Sequence, residues 1–282
     1  MPQPHSVHEA YTEAVRRLSL AGVASPEAEA WQLVEAATGL ERSRLITDSG
    51  ALGRDEQRRL GEWLARRELR EPLQLILGRA PFYGLEIPIA PGVLVPRPET
   101  ERLVEMTLER VRGFAAPRIL DVGTGSGAVA LAIKSERPDA IVEASEIDES
   151  VLRRARENAA ALDLEVVFRR SDLLDSAAVR SFAASSHVVV SNPPYLPAGD
   201  REMASPEVRW DPPEALYAGE DGLVVFRRLM AQAHELMSSG SLLIVELDPR
   251  NVELAKEEAS AWAAADIHAD LAGRARFLEL RR

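Results

Sequence analysis

The hydrophobic positions change their spacing twice along the chain. Over residues 1–72 they recur at helical intervals, with Val7, Tyr11, Ala14, Val15 and Leu18 on one stripe. Ser25-Pro26 predicts the start of a second helix, with serine as N-cap and proline in the first turn, and Gly39 predicts its end. Leu60, Trp63, Leu64 and Leu69 mark a further helix in an Arg/Glu-rich stretch from about Asp55 to Arg70. This reads as a small all-helical bundle without a catalytic constellation, suited to recognising or positioning a partner. Residues 73–98 have a different texture. Prolines 72, 81, 88, 91, 96 and 98 and glycines 78, 84 and 92 punctuate short runs such as Phe82-Tyr83 and Leu85-Glu86-Ile87, which predicts a hairpin and linker rather than a helix. From Glu99 to Val111 helical spacing returns through Leu103, Val104, Met106, Thr107 and Leu108.

Beyond Arg118 apolar runs alternate with amphipathic ones. Strands are predicted at 118–122, 140–146, 165–169, 187–191, 241–247 and 274–280, with a weaker one near Ile267. Helices are predicted at 129–136, 151–161, 223–237 and 252–262. Alternation of this kind implies a mostly parallel sheet covered on both faces, so residues 99–282 read as one Rossmann-like α/β domain.

Composition narrows the chemistry. With no cysteine there are no disulfides, thiolate nucleophiles or Cys-ligated zinc, which fits a cytoplasmic protein. Five histidines, at 5, 8, 187, 234 and 268, form no HxxxH or HxH pair, so no metal site is expected. The N-terminus lacks the apolar core of a signal peptide, and no apolar run is long enough for a membrane span. A formal net charge of −11 argues against stable nucleic-acid binding, which rests on phosphate neutralisation. Two arginine clusters, Arg66, Arg67 and Arg70 and then Arg153, Arg154 and Arg156, read as solvated helix faces paired with Glu68 or Glu157.

Three segments carry chemistry. Asp121-Val122-Gly123-Thr124-Gly125-Ser126-Gly127 follows an apolar strand and enters a helix, the context of a nucleotide-binding glycine loop. Its Gly-x-Gly-x-Gly spacing has one residue before the last glycine where the dinucleotide fingerprint has two. Glu146, ending the next strand, can accept hydrogen bonds from both hydroxyls of an adenosine ribose; Asp148 is the competing candidate or else caps the following helix. After the third strand, Asp172 can take an adenine amino group while Leu173 lines the ring, or Asp172 is a helix cap. The most specific segment is Ser191-Asn192-Pro193-Pro194-Tyr195. Two prolines stop the strand at the carboxyl edge of the sheet, where open α/β sheets bind ligands. There the Asn192 side-chain carbonyl and the Pro193 backbone carbonyl can converge on an NH2 group of a planar centre. Pro194 and Tyr195 complete the substrate surface, Tyr195 as a stacking face.

Asn-Pro-Pro-Tyr after such a loop resembles the class I methyltransferases that act on planar nitrogen. More closely, the chain resembles the protein-(glutamine-N5) methyltransferase family of peptide-chain release factors, known as PrmC or HemK. The resemblance rests on Arg70-Glu71-Pro72-Leu73-Gln74-Leu75-Ile76-Leu77-Gly78, Phe82-Tyr83-Gly84-Leu85 and Leu94-Val95-Pro96-Arg97-Pro98-Glu99-Thr100-Glu101. It also rests on Asn192–Tyr195, on Pro213-Glu214-Ala215-Leu216 followed by Asp221-Gly222-Leu223, and on a closing hairpin at 270–277. Glu146 stands where the family more often has Asp, Ser239-Gly240-Ser241 replaces paired glycines, and Glu246-Leu247-Asp248 lacks a glycine expected after the acid, leaving Glu246 without an assigned role.

The resemblance implies an S-adenosylmethionine-dependent class I methyltransferase domain behind a small N-terminal all-helical domain. The cofactor would be held by Gly123, Thr124, Gly125, Ser126, Gly127, Glu146, Asp172, Leu173 and Asn192. Asn192, Pro193 and Tyr195 would serve the reaction, and no metal or general base is expected. The expected substrate is the Gly-Gly-Gln glutamine of release factors, modified by a monomeric cytoplasmic enzyme. Two other readings remain at this point: a methyltransferase of adenine N6 or another nucleic-acid amino group, and a non-catalytic cofactor-binding adaptor.

Overall fold

The computed structural model describes residues 6–41, 43 and 50–282. Two compact units are present: one from Met1–Arg79 together with Ser205–Trp210, the other from Ala80–Ala204 and Asp211–Arg282.

The described part of the first unit is helical: α1 (Val7–Leu20), α2 (Pro26–Thr38), α3 (Arg54–Glu68) and α4 (Leu73–Leu77). Ser6 and Glu9 form a capping box that starts α1. Proline opens α2 as expected, but the Ser25 side chain makes no cap hydrogen bond, and Gly39 ends the helix in the left-handed conformation. Val7, Ala14, Leu18, Leu33, Val34, Leu60 and Leu64 share one core. α4 lies where the proline and glycine content predicted no helix; Pro72 is its N-cap and Gly78 its C-cap, so both punctuating residues sit outside the turn they bracket.

The expected solvated arginine face at 66–70 is corrected by the structure. Arg67 is buried, and its Nε and Nη2 donate to Glu29 and Glu207 at 2.6 and 2.9 Å. Arg70 donates twice to Glu207, Arg66 pairs with Glu71, and Glu68 turns instead to Arg17 at 2.7 Å. Glu207 is remote in sequence, so helical spacing could not identify it as a partner. Arg153, Arg154 and Arg156 do lie exposed beside Glu157 and Glu149.

The second unit begins with the hairpin β1 (Arg79–Phe82) and β2 (Leu85–Pro88), then α5 (Glu101–Val111). It continues β3 (Arg118–Val122), α6 (Ala128–Glu136), β4 (Ile141–Glu146), α7 (Glu149–Ala161), β5 (Val167–Arg170), α8 (Ala177–Ala184) and β6 (Val188–Ser191). After short 3-10 turns come α9 (Val224–Leu236), β7 (Leu242–Glu246), α10 (Val252–Glu258), β8 (Ala264–Ala269) and β9 (Ala275–Arg281). The seven-stranded sheet has the order β5-β4-β3-β6-β7-β9-β8. Its first five strands are parallel, and β9 runs antiparallel between β7 and β8.

Leu120, Val122, Val189, Leu243 and Val245 share a core with Phe182 of α8, Phe226 and Leu229 of α9 and Val252 and Ala255 of α10. These strand positions alternate, which assigns one face of the sheet to α8–α10. α5, α6 and α7 contribute nothing to that cluster and pack on the sheet elsewhere. α8 escaped the sequence reading because its short alanine-rich run lacks a long apolar period; Ser176 nevertheless caps it.

The buried guanidinium makes a stability prediction. Arg67→Met keeps the stem's volume but leaves the half-buried Glu29 without its cation and Glu207 with Arg70 alone. The helical unit should lose about 2–3 kcal/mol, somewhat under the range for fully buried pairs. Urea unfolding measures this, and a change within about 0.5 kcal/mol, as at an ordinary surface site, would refute it.

Candidate active site

Parallel register brings the chemistry-bearing segments to one sheet edge. Val122 pairs with Ser145 on β4 and with Ser191 on β6. The residues that follow, Gly123, Glu146 and Asn192, therefore leave three adjacent strands at the same end. Gly123 N and Thr124 N both donate to Ser145 O, at 2.9 and 3.0 Å, which folds the glycine loop against β4. Gly125 has φ +57°, and a Cβ built there meets no atom within 4 Å, so backbone and open space adjoin.

Asp121 shapes this loop from below. It is buried, accepts from Thr124 Oγ1 at 2.6 Å and from Ala130 N at 3.2 Å, and so ties the loop to the first turn of α6. Burial raises its carboxyl to about 7, against those two hydrogen bonds. Along the chain Asp121 is legible only as the first residue of the glycine motif.

Glu146 lies half-buried beside the loop. One carboxylate oxygen accepts from Gly125 N at 3.1 Å and the other from Ile147 N and Asp148 N at 2.8 and 3.3 Å. Burial raises its carboxyl while these N–H groups oppose the rise. Asp148 caps α7 by accepting from Ser150 N and Val151 N. Of the two acids it is Glu146 that faces the glycine loop.

Asp172 does not cap a helix. It accepts from Arg228 Nη2 of α9 at 2.8 Å, and Leu173, at φ +51°, is partly buried against the core under α8–α10. Both follow β5, whose last pair is Glu146 with Arg170.

Ser191 Oγ donates to Val122 O at 2.7 Å, pinning β6 to β3 just before Asn192. Asn192 Nδ2 donates to Thr100 Oγ1 at 3.0 Å, which orients the amide and leaves Oδ1 as its free acceptor. Pro193 is buried and Pro194 half-buried. Tyr195 N donates to Leu216 O at 3.1 Å, and its carbonyl accepts from Asn251 Nδ2. Gly222, at φ +78°, lies under that carbonyl: a Cβ there would stand 2.2 Å from Tyr195 O, so only glycine lets the two segments approach. Tyr195 Oη donates to Glu246 Oε1 at 3.2 Å, and burial with the nearby Glu246 charge keeps Tyr195 a phenol.

Glu246 was left without a role by the sequence, and the structure places it in the site. It ends β7, one strand from Asn192, and Ser191 pairs with Val245 in the register between them. Thr100 was legible only as part of Pro-Arg-Pro-Glu-Thr. Arg97 of that segment pairs with buried Asp211, which also accepts from Val95 N, and Glu99 pairs with Arg274 at 3.2 Å. Among the described residues no group of His, Asp and Glu side chains could hold a metal.

The strand order and the loops on this edge define the class: a Rossmann-like methyltransferase domain of class I. Solved structures share that fold at low identity. The catalytic domain of hMettl16 in complex with an RNA hairpin has a TM-score of 0.56, 17% identity, and 80% coverage of each chain. The 16S rRNA N2 G1207 methyltransferase of T. thermophilus has a TM-score of 0.52 and 20% identity over 72% of this chain and 49% of that one. The family model of the PrmC N-terminal domain matches residues 9–78, and that of the Methyltransferase small domain residues 100–207. The chain is 44% identical to the release factor glutamine methyltransferase of Deinococcus radiodurans over 96% of each protein, and 41% identical to that of Streptomyces coelicolor over 96% of each. It belongs to the release factor glutamine methyltransferase family.

Asp121 gives this site a pH signature. Its folded-state carboxyl lies near 7, above the 3.8 of an unperturbed group, so the stability it contributes is present at low pH and lost as pH rises through about 7. Asp121→Asn keeps an acceptor for Thr124 and Ala130 and cannot ionise. Its stability relative to wild type should therefore improve between pH 5 and pH 8, read as paired thermal midpoints; a constant difference would refute the assignment.

Proposed function

We propose that this protein transfers the methyl group of S-adenosylmethionine to the side-chain amide nitrogen of a release-factor glutamine, that of the Gly-Gly-Gln segment. Full-length similarity to relatives named for this activity favours it over an adenine amino group or an adaptor without catalysis. The observation that carries the site reading is the Asn192 amide, turned by Thr100 so that Oδ1 is left as an acceptor at the sheet edge.

The residues suit the cofactor. Glu146 offers carboxylate oxygens to a pair of vicinal hydroxyls, Gly125 leaves its backbone approachable, and Asp172 and Leu173 stand at the neighbouring strand end. When bound, the sulfonium supplies an electrophilic methyl group. An amide nitrogen is a weak nucleophile because its lone pair is delocalised, so the protein's task is alignment. Asn192 Oδ1 and the Pro193 carbonyl accept the two NH2 hydrogens, fix the amide plane and favour the positive charge developing on nitrogen. Tyr195 lies along that plane. Loss of the product's extra proton to solvent needs no dedicated base.

The helical unit recognises the protein substrate; of the expected linker at 73–98, Leu73–Leu77 belongs to this unit as α4 and Ala80 onward to the methyltransferase unit. The enzyme acts as a cytoplasmic monomer without a stable nucleic-acid partner. The net charge of −11 disfavours phosphate binding; no helix among the described residues is long and apolar enough to cross a membrane.

Asn192→Ala should lower methylation of a release factor roughly 10²- to 10³-fold, as loss of a preorganised transition-state contact does. Mass spectrometry of the glutamine-bearing peptide reads this, and turnover within about twofold of wild type, a barrier change under about 0.5 kcal/mol, would remove the reading. A chain beginning at Ala80 should still bind S-adenosylmethionine by calorimetry but methylate intact release factor far more slowly. Undiminished methylation by it would show that the helical unit does not recognise substrate.

A further inference from the structure

Both ends of the Asn192–Tyr195 segment are tied to one buried neighbourhood. Asn192 Nδ2 donates to Thr100 Oγ1, and Tyr195 Oη donates to Glu246 Oε1. Thr100 is 4% exposed and Glu246 0%. Having accepted from Asn192, the Thr100 hydroxyl still has its own proton to give, and it favours the ionised form of Glu246. Glu246 Oε2 is buried and has no hydrogen-bond partner. A buried carboxylate that accepts the Tyr195 phenol on one oxygen and keeps the other unpartnered, with the Thr100 hydroxyl that holds Asn192 acting on its charge, calls for an explanation.

We propose that Glu246 is a positioning residue for methyl transfer, acting as a carboxylate that holds the Tyr195 hydroxyl on one side and, through Thr100, the Asn192 amide on the other. It touches neither methyl donor nor target amide. The charge matters because of acceptor count. An ionised carboxylate accepts from two donors with two oxygens, whereas a neutral acid or an amide presents one acceptor and one donor. When Glu246 is neutral, either Tyr195 or Thr100 meets a donor, and the strained end of the segment moves.

The surroundings leave this carboxylate titratable within reach of neutral pH. Burial raises it to about 6, against Thr100, Arg276 and Tyr195, while Glu99 adds to the rise. Arg276 of β9 is the nearest cation, with Nη1 at 3.7 Å from Oε1, and it shares its charge with Asp270 at 3.3 Å. The other charged groups facing this neighbourhood are already engaged: Glu99 with Arg274, Arg97 with Asp211, and Asp248 with Arg250. Compensation by Arg276 is therefore partial.

The inference rests on the proposed roles of Asn192 and Tyr195, so its test carries Asn192→Ala as a control beside Glu246→Gln. Single-turnover and steady-state methylation of release factor are measured from pH 5 to pH 8 with the full-length protein, together with affinity for S-adenosylmethionine and the thermal midpoint. Wild-type kcat should fall as pH drops through about 6, because protonation removes an acceptor. Glu246→Gln should be slower by roughly 10- to 10²-fold at pH 7.5, the scale of a small misplacement of reacting groups. It should lack the acid limb, and its cofactor affinity and thermal midpoint should be close to wild type, since a neutral side chain is no harder to bury than the carboxylate. Glu246→Gln with wild-type kcat, or with the acid limb intact, overturns the inference while Asn192→Ala remains impaired. A loss of rate matched by collapse of the thermal midpoint and of cofactor affinity also overturns it, in favour of a structural role. Wild-type activity in Asn192→Ala fails the site reading itself.

Discussion

The parallel register of β3 with β4 and β6 is the constraint from which this site follows. Hydrogen bonding pairs Val122 with both Ser145 and Ser191, and one residue later each strand delivers a different group to the same edge. Gly125 and the Glu146 carboxylate it meets are 21 residues apart in sequence, and the Asn192 amide is farther still. Their convergence is a property of the sheet, because parallel neighbours end together and their exits share one crevice. The Ser191 hydroxyl on Val122 O adds a side-chain tie at the point where β6 is about to be broken by two prolines.

Buried charge is distributed by environment rather than by count. Asp121 sits between two donors with no cation, so burial dominates and its carboxyl rises to about 7. Asp211 is also buried and raised, yet it has Arg97 and a backbone N–H to hold its charge. In the helical unit Arg67 is matched by two carboxylates, one of them from Ser205–Trp210. That pairing anchors a segment which the chain contributes to this unit after building most of the other. An unpaired guanidinium at 4% exposure would be costly, so the segment and the arginine are interdependent.

The sheet-edge contacts also show why a motif is not yet a site. Asn-Pro-Pro-Tyr supplies an amide and a ring, but an isolated amide can present either its oxygen or its nitrogen to a substrate. The Thr100 hydroxyl decides between them by accepting from Nδ2. In the same way Tyr195 is fixed by the Glu246 carboxylate at its tip and by Leu216, Asn251 and the space left by Gly222 at its backbone.

Local patterning is enough for the helical first part, the α/β alternation, the glycine loop with its following acid, and the breaking of β6 at Asn192. These are local: hydrophobic period, proline geometry and glycine permissiveness act within a few residues. The sequence also carried the family, through motifs spread over most of the chain. What it could not determine depends on partners distant along the chain. The short helix α4 was hidden by the prolines and glycines that bracket it, and α8 by the lack of a long apolar period. Arg67 read as solvated because Glu207 stands 140 residues away. Glu246 read as idle because Tyr195 is 51 residues away, and only the pairing of β6 with β7 sets its carboxylate beside the segment it holds. Burial, and with it the charge state of a carboxylate, is fixed by which strands and helices close over it, and that closure exists only in the folded chain.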